Sequence, residues 1–190
     1  MPATTPDPQP RLATPDELTA LAAVLGDAFA EYAWTRWTVP GEDAHRRLAE
    51  LQHLYLAHAH EHGGRIWTTP GREAAAVVIP AHLPDPSEET FGRIVALHGE
   101  GWQRVVDHEQ SVASLRPEAD WTLATVGVAP ERHGQGLGSA VLRAALADLG
   151  SARVLLETSS ADNVRLYERL GFETVEHVRG DGPDVWIMLR

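Results

Sequence analysis

The chain has 190 residues, a hydrophobic fraction of 43%, no cysteine and a formal net charge of −11. This length suits one domain with a substantial core, and the lack of cysteine excludes disulfides, thiolate zinc sites and a cysteine nucleophile. The acidic balance disfavours nucleic acid as a partner, and no apolar stretch is long enough to cross a membrane. The N-terminus lacks the features of a signal peptide, so we expect a cytoplasmic protein that binds neither nucleic acid nor membrane.

The N-terminal third predicts a tail, a short strand and two helices. Residues 1–9 are rich in proline and predict a disordered tail, and residues 10–190 are expected to form a single domain. Residues 11–14 are interpreted as a short strand. Thr14-Pro-Asp-Glu17 predicts a helix start, with Thr as N-cap, Pro at the first position and Glu at the third. Residues 34–41 are interpreted as a loop rich in aromatic side chains.

The middle of the chain predicts a helix, a hairpin and an interrupted helical region. A helix is expected over residues 42–62, ended by Gly63-Gly64. Residues 65–79 are interpreted as a β-hairpin that turns at 70–73. A proline-rich loop follows, and residues 88–115 are read as helix with a break near 99–101.

The last third predicts a parallel crossover. Residues 121–128 form an apolar strand without polar alternation, which predicts burial on both faces. The elements that follow are a helix over 137–149, a strand over 154–157, a helix over 163–170 and a strand pair over 172–178 and 185–189. Strand, helix and strand over 121–158 imply a parallel, right-handed connection. We therefore expect an α/β fold with a mixed, mostly antiparallel sheet flanked by helices.

A glycine loop opens the helix that follows the central strand. Gly134, Gly136 and Gly138 lie at alternate positions, directly before an amphipathic helix. Such a loop aims backbone N–H groups at one point at the positive end of the helix dipole, which suits a phosphate. No Lys follows as a P-loop requires, and the spacing differs from that of a Rossmann fingerprint. The alternative interpretation is a glycine-rich connection that binds no ligand.

Three blocks resemble one enzyme superfamily. The first block is Val128-x-Pro130 followed by His133-Gly-Gln-Gly-Leu-Gly138. The second is Leu156-Glu-Thr-Ser159, and the third is Leu166-Tyr-Glu-Arg-Leu-Gly-Phe172. Together they resemble the motifs of the GCN5-related N-acetyltransferase (GNAT) superfamily. The resemblance implies an acyl-CoA N-acyltransferase fold with one parallel β-α-β crossover and helices on both faces. It also implies acetyl-CoA as co-substrate and no metal. Within the superfamily, blocks from residue 11 onward resemble puromycin N-acetyltransferases, most weakly over residues 80–118.

The resemblance implies a binding site for coenzyme A on the central strand and the glycine loop. The cofactor-binding residues it implies are Val126, Gly127, Val128, His133, Gly134, Gln135, Gly136, Leu137, Gly138, Ser139 and Asn163. His133 stands where the family usually has Arg or Gln. Gly127 is consistent with a bulge or a close backbone approach, and Asn163 is interpreted first as a helix cap.

Two side chains are implied as catalytic. Glu157 is a carboxylate at the end of an apolar strand, where burial is expected to raise its pKa toward that of a general base. It would remove a proton from the amine, directly or through water. Tyr167 would protonate the departing thiolate of coenzyme A. The alternatives are a solvated strand-end Glu or a structural ion pair for Glu157, and a packing role for Tyr167.

An aromatic pocket is expected for the acceptor. The substrate-binding residues are predicted to be Phe29, Tyr32, Trp34 and Trp121. The acceptor implied is a primary amine of a small aromatic or nucleoside-like molecule such as puromycin, as in antibiotic resistance, attacked directly in a ternary complex. The alternatives are another amine (an amino acid, a polyamine or a protein N-terminus) or a non-catalytic acyl-CoA sensor. Both a monomer and a homodimer are compatible with the sequence.

His58 and His62 have the i, i+4 spacing of two metal ligands on a helix. No neighbouring residue completes a zinc set, so no metal is expected.

Overall fold

A computed structural model describes residues 9–190. The strands are β1 (Arg11–Leu12), β2 (Arg65–Thr68), β3 (Ala74–Pro80), β4 (Trp121–Val128), β5 (Val154–Thr158), β6 (Glu173–Val178) and β7 (Val185–Leu189). The helices are α1 (Leu18–Phe29), α2 (Ala33–Thr38), α3 (Ala44–Glu61), α4 (Glu88–His98), α5 (Trp102–Val112), α6 (Leu137–Leu149) and α7 (Ala161–Glu168). All but the last residue of the predicted tail lies outside the described residues.

The strands form one seven-stranded sheet in the order β1-β2-β3-β4-β5-β7-β6. Among residues 9–190, only β4 and β5 pair in parallel, and α6 connects them, while the other neighbouring pairs are antiparallel. The predicted mixed sheet with one parallel crossover is therefore confirmed.

Helices pack on both faces of this sheet, as the alternation of side chains along β3 shows. Ala74, Ala76 and Val78 belong to the core beneath α6. Ala75 and Val77 belong to the core beneath α1 and α3. Because successive side chains of a strand point to opposite faces, an apolar run without alternation is what a strand covered on both sides requires.

The aromatic segment after α1 is helical, so its interpretation as a loop was wrong. Helix α2 begins after Tyr32, whose carbonyl accepts a hydrogen bond from the Arg36 amide at 3.0 Å. Trp34 and Trp37 lie one turn apart with ring centroids separated by 5.3 Å in an edge-to-face contact. Packing between tryptophans at positions i and i+3 supports a short helix here, which the sequence pattern did not predict.

Strand β4 is not buried on both faces, which corrects the prediction for residues 121–128. Ala124 is exposed, and Thr125 and Val126 are half-buried. The recorded pairing with β5 ends at Leu123↔Leu156, although β4 continues to Val128. A bulge leaves Ala124 without a partner on β3, since Val77 pairs with Thr125 and Val78 with Leu123. The second half of β4 therefore borders open space.

Helix α7 begins earlier than predicted, and its cap is Ser160. The Ser160 hydroxyl accepts a hydrogen bond from the Asn163 amide at 3.4 Å. The interpretation of Asn163 as the cap was wrong, because Asn163 lies in the first turn. Within residues 9–190, no helix combines the length and apolar character needed to cross a membrane.

Candidate functional site

Two clefts meet where β4 separates from β5. A cavity of about 450 Å3 lies on the side of α2 and α5, and a cleft of about 530 Å3 lies beside the glycine loop. Both are lined by Phe29, Tyr32, Val126, Asn163 and Tyr167. We call them the acceptor cavity and the glycine-loop cleft. Because they share five lining residues, groups bound in the two spaces can meet at this junction.

All but one of the predicted cofactor-binding residues line the glycine-loop cleft. It is lined by Val126, Gly127, Val128, His133, Gly134, Gly136, Leu137, Gly138, Ser139 and Asn163. Gln135 is exposed and does not line it. The prediction for the Gln135 side chain is therefore not supported.

Backbone conformation explains two of the loop glycines. Gly134 and Gly136 have φ values of +76° and +78°, a region that side chains with a Cβ rarely adopt. Gly136 is the N-cap of α6, so the first free N–H groups of that helix face the cleft that the loop surrounds. His133 lies 3.0 Å from the Val128 carbonyl through Nε2, which ties the loop to the end of β4.

Tyr167 lies at the junction of the two clefts. Its side chain is 8% exposed and packs edge-to-face against Phe172. Burial raises the pKa of Tyr167 well above its usual value, and the nearby Tyr32 raises it further. The phenol therefore stays protonated at neutral pH and is available as a proton donor.

Glu157 lies in the acceptor cavity as an ionised, fully paired carboxylate. Its Oε1 accepts a hydrogen bond from Arg116 Nε at 2.5 Å, and its Oε2 lies 3.2 Å from His108 Nε2. Burial raises the pKa of Glu157, but the hydrogen bonds and charges of His108 and Arg116 outweigh it and lower the pKa overall. The expectation of a raised pKa was wrong because it considered burial without these partners.

The sequence comparisons agree with this geometry. The model of the acetyltransferase (GNAT) domain matches residues 91–174. This part of the chain, including the glycine loop, Glu157 and Tyr167, is therefore similar to the GNAT acetyltransferase domain. The mycothiol acetyltransferase of Saccharomonospora viridis is 36% identical over 95 residues, 47% of this chain and 29% of that protein. The mycothiol acetyltransferase of Pseudarthrobacter chlorophenolicus is 33% identical over 165 residues, 81% of this chain and 46% of that protein. The chain thus spans less than half the length of these curated relatives.

Solved structures of acetyltransferases share the fold over nearly the whole chain. An acetyltransferase of Corynebacterium glutamicum, described as related to histone acetyltransferase HPA2, aligns with a TM-score of 0.75 and 25% identity over 96% of this chain and 95% of that one. The polyamine N-acetyltransferase of Drosophila melanogaster aligns with a TM-score of 0.60 and 19% identity over 95% and 98% of the two chains. The predicted GNAT fold is confirmed.

Arg132 is a residue of the glycine-loop cleft that the sequence interpretation missed. It lines the cleft directly before His133, its Nη2 is 3.7 Å from Glu73, and its buried Nε has no hydrogen-bond partner among the described residues. The family pattern directs attention to position 133, so the cation one residue earlier was passed over. A buried N–H donor without a partner beside free helix N–H groups suits an anionic ligand such as a pyrophosphate.

Gly127 makes its close approach to α1. A Cβ at this position would lie 2.6 Å from Leu25 Cδ2 and 3.2 Å from the Ala28 Cβ. The bulge lies instead at Ala124. Of the two readings of Gly127, the close approach is therefore correct, and the partner is a helix.

The polar end of the acceptor cavity comes from the segment with the weakest sequence resemblance. His108 lies on α5, and Arg116 follows it and also donates to both oxygens of Glu109. Hydrogen bonds to Glu109 and Glu157 raise the pKa of Arg116, so it stays charged. These residues are 49 and 41 positions from Glu157, and no local motif marks them.

Three of the four predicted acceptor residues line the cavity. Phe29, Tyr32 and Trp34 do so, whereas Trp121 does not. The Trp121 ring lies 4.9 Å from the Arg65 guanidinium carbon, at the start of β4 and away from the junction. The prediction for Trp121 was therefore wrong.

Tyr32 closes part of the boundary between the clefts. Its hydroxyl accepts a hydrogen bond from the Ser159 amide at 2.7 Å and lies 3.0 Å from Thr158 Oγ1. It thereby ties the end of α1 to the end of β5.

The histidine pair on α3 was considered as a metal site. The His58 and His62 rings are 4.3 Å apart, and His58 Nε2 lies 2.8 Å from the Pro84 carbonyl. In the part of the chain that the structure describes, no three His, Asp or Glu side chains are grouped to hold a metal ion.

Proposed function

We propose that this protein is an acetyl-CoA-dependent N-acetyltransferase that acetylates a primary amine of a small molecule by direct attack in a ternary complex. The observation that carries the proposal is the junction at Tyr167. There the glycine-loop cleft, which suits a phosphate, opens into the aromatic acceptor cavity, and five residues line both spaces. A thioester reaching from one side and an amine from the other would meet without a covalent enzyme intermediate.

The glycine-loop cleft would hold coenzyme A. The N–H groups around Gly136 at the start of α6 would bind the pyrophosphate, and Arg132 would add a positive charge beside it. The backbone around Val126 and Val128 has no partner on the β5 side of β4, and the pantetheine arm would lie along that edge. A fixed N–H donor on that edge would stabilise the oxyanion that forms during attack, a contribution on the order of 3 kcal/mol in other enzymes.

Tyr167 and the pair Glu157–His108 would handle the protons. The Tyr167 phenol would donate its proton to the thiolate of coenzyme A, since its raised pKa keeps it protonated. At the other end of the cavity, the carboxylate of Glu157 supplies the negative charge that favours removal of a proton from the amine.

Two acceptor classes are candidates. Resemblance of the chain to puromycin N-acetyltransferases and the aromatic side chains Phe29, Tyr32 and Trp34 support a small aromatic amine such as puromycin. Relatives named mycothiol acetyltransferase, one of them matching 81% of this chain, support the deacetylated form of mycothiol as the second candidate.

The test measures release of the coenzyme A thiol from acetyl-CoA with puromycin, tyramine, agmatine and deacetylated mycothiol. We expect turnover with at least one of them. Tyr167→Phe should lower kcat by about 100-fold, while calorimetry shows unchanged binding of coenzyme A. Tight binding of coenzyme A without thiol release for any of the four amines would contradict the proposal and favour an acyl-CoA sensor.

A further inference from the structure

A network of paired side chains crosses the polar end of the acceptor cavity. Arg116 donates hydrogen bonds to both Glu109 and Glu157, and Glu157 contacts His108. The imidazole also packs edge-to-face against Trp34, with ring centroids 4.4 Å apart. His108 is therefore held by two neighbours, and its side chain is only 11% exposed.

The contacts within this network determine which atoms of each member carry protons. Arg116 occupies Oε1 of Glu157 and keeps the carboxylate ionised, so Glu157 acts only as an acceptor. His108 must then carry its proton on Nε2 to make the contact with Oε2. Its Nδ1 is left as the nitrogen with a free lone pair, and it makes no hydrogen bond to any described residue.

We propose that His108, through Nδ1, accepts the proton from the amine during acetyl transfer, and that Glu157 is a positioning residue that holds the imidazole in the Nε2–H form. This inference rests on the proposed function, and it reassigns the role of base that the sequence suggests for Glu157. A carboxylate paired with a guanidinium is a weak base, whereas a neutral imidazole suits neutral pH. The arrangement has the logic of a carboxylate that orients a catalytic histidine.

The transfer balances with these groups. The amine nitrogen forms a bond to the acetyl carbon, the bond from that carbon to sulfur breaks, and the nitrogen loses one proton to His108 Nδ1. The thiolate takes one proton from Tyr167. Imidazolium and phenolate then return to their resting states by exchanging one proton through solvent.

Several other titratable or charged groups share the cavity with His108 and bear on any pH profile. They are Tyr32, Tyr55 and His58 on the helical side, Glu109 and Arg116 on and after α5, and Glu157 and Tyr167 at the sheet. Glu157 is the anion directly against the ring, and it favours the imidazolium that forms.

The first experiment needs no acceptor. In protein labelled with 15N-histidine, a long-range 1H–15N correlation spectrum reports which nitrogen carries the proton, and His108→Gln assigns the signal. We expect the Nε2–H form in the wild type and a shift toward Nδ1–H in Glu157→Gln. A wild-type Nδ1–H form would overturn the proposal, whether or not any amine is acetylated.

The second experiment uses the pH profile of kcat with the best amine among puromycin, tyramine, agmatine and deacetylated mycothiol. We expect His108→Gln to lower kcat by about 100-fold or more and His108→Ala to regain activity with added imidazole. Glu157→Gln should lower kcat but keep the acidic limb, because His108 remains the base while its Nε2–H form is no longer held. His60→Gln, on an exposed position of α3, is the matched control and should retain full kcat.

The alternatives give different results. If Glu157 itself were the base, the acidic limb would lie below pH 4.5 and disappear in Glu157→Gln. A fully active His108→Gln enzyme would overturn the role of His108 and leave the acetyltransferase proposal intact. A wild type that acetylates no amine would overturn the acetyltransferase proposal, and with it the catalytic role of His108.

Discussion

Glu17 shows how one side chain can link the first strand to the first helix. Its carboxylate accepts hydrogen bonds from both terminal nitrogens of Arg11, at 2.6 and 2.7 Å, and from the Thr14 amide at 3.1 Å. The side chain is only 7% exposed. These hydrogen bonds, that from Arg11 above all, lower the pKa of Glu17 to about 2. The ionised form is therefore the one that the fold stabilises.

Replacing Glu17 by Gln should lower the free energy of unfolding at pH 7 by about 1–2 kcal/mol, because the charge-assisted bonds to Arg11 and Thr14 are weakened. The folded-state pKa lies below the unfolded value of 4.5. The contribution is thus complete above pH 4.5 and disappears as the pH falls toward 2. Urea unfolding at pH 7 and at pH 3 measures it, and an equal difference between wild type and variant at both pH values would contradict the prediction.

Local residue patterns predicted the cap formed by Glu17 better than they predicted the pKa of Glu157. The cap at Thr14–Glu17 is a contact between neighbours in sequence, so the four residues alone define it. The pKa of Glu157 depends on Arg116 and His108, which the fold brings together across more than 40 positions. Burial alone predicts the wrong direction for such a carboxylate, since its partners decide the sign.

At the scale of elements, the contact between β4 and α1 positions both clefts. Gly127 lets the helix approach the strand so closely that Leu25 and Ala28 occupy the space of a side chain. Phe29, on the last turn of α1, lines both clefts from this position. The distance between helix and strand therefore sets the width of the junction.

Gly127→Ala should destabilise the protein by about 1–3 kcal/mol, because Leu25 is fully buried and cannot move aside. Gly92→Ala is the matched control: it lies inside α4 with no atom within 4 Å of the added Cβ. That variant should gain up to about 1 kcal/mol from the higher helix propensity of Ala. Urea midpoints compare the two, and a Gly127→Ala midpoint at or above that of wild type would refute the packing argument.

Element prediction succeeded where a helix or strand is long and periodic, and failed at two places next to the site. Helix α2 has six residues, and its stability comes from packing of Trp34 and Trp37 that no periodicity reveals. Strand β4 is as apolar as a buried strand, yet its second half faces open clefts. Both failures arise because the composition of a binding site mimics that of a core.

At the scale of the whole molecule, donor and acceptor functions come from different parts of the chain. The matched GNAT region, 91–174, contains the glycine loop, His108, Glu157 and Tyr167. Phe29, Tyr32 and Trp34 lie outside it and line the acceptor cavity together with His108 and Glu157. Sequence motifs therefore predict the lining of the glycine-loop cleft well, whereas the acceptor cavity also depends on side chains that no shared motif describes.

Because the glycine-loop cleft contacts α1, β4, α6 and α7, coenzyme A bound there should stabilise the molecule as a unit. At a concentration 100 times its dissociation constant, a ligand adds about 2.7 kcal/mol, which corresponds to a rise in Tm of about 5–10 °C for a domain of this size.

Arg132→Ala should weaken binding of coenzyme A about tenfold and reduce this rise in Tm by roughly half, since the pyrophosphate loses a charge-assisted partner. Arg143→Ala, at an exposed position of α6, is the matched control and should keep the full rise. Differential scanning fluorimetry with and without coenzyme A measures all three proteins, and an equal rise in Arg132→Ala and wild type would show that the backbone of the loop holds the pyrophosphate without Arg132.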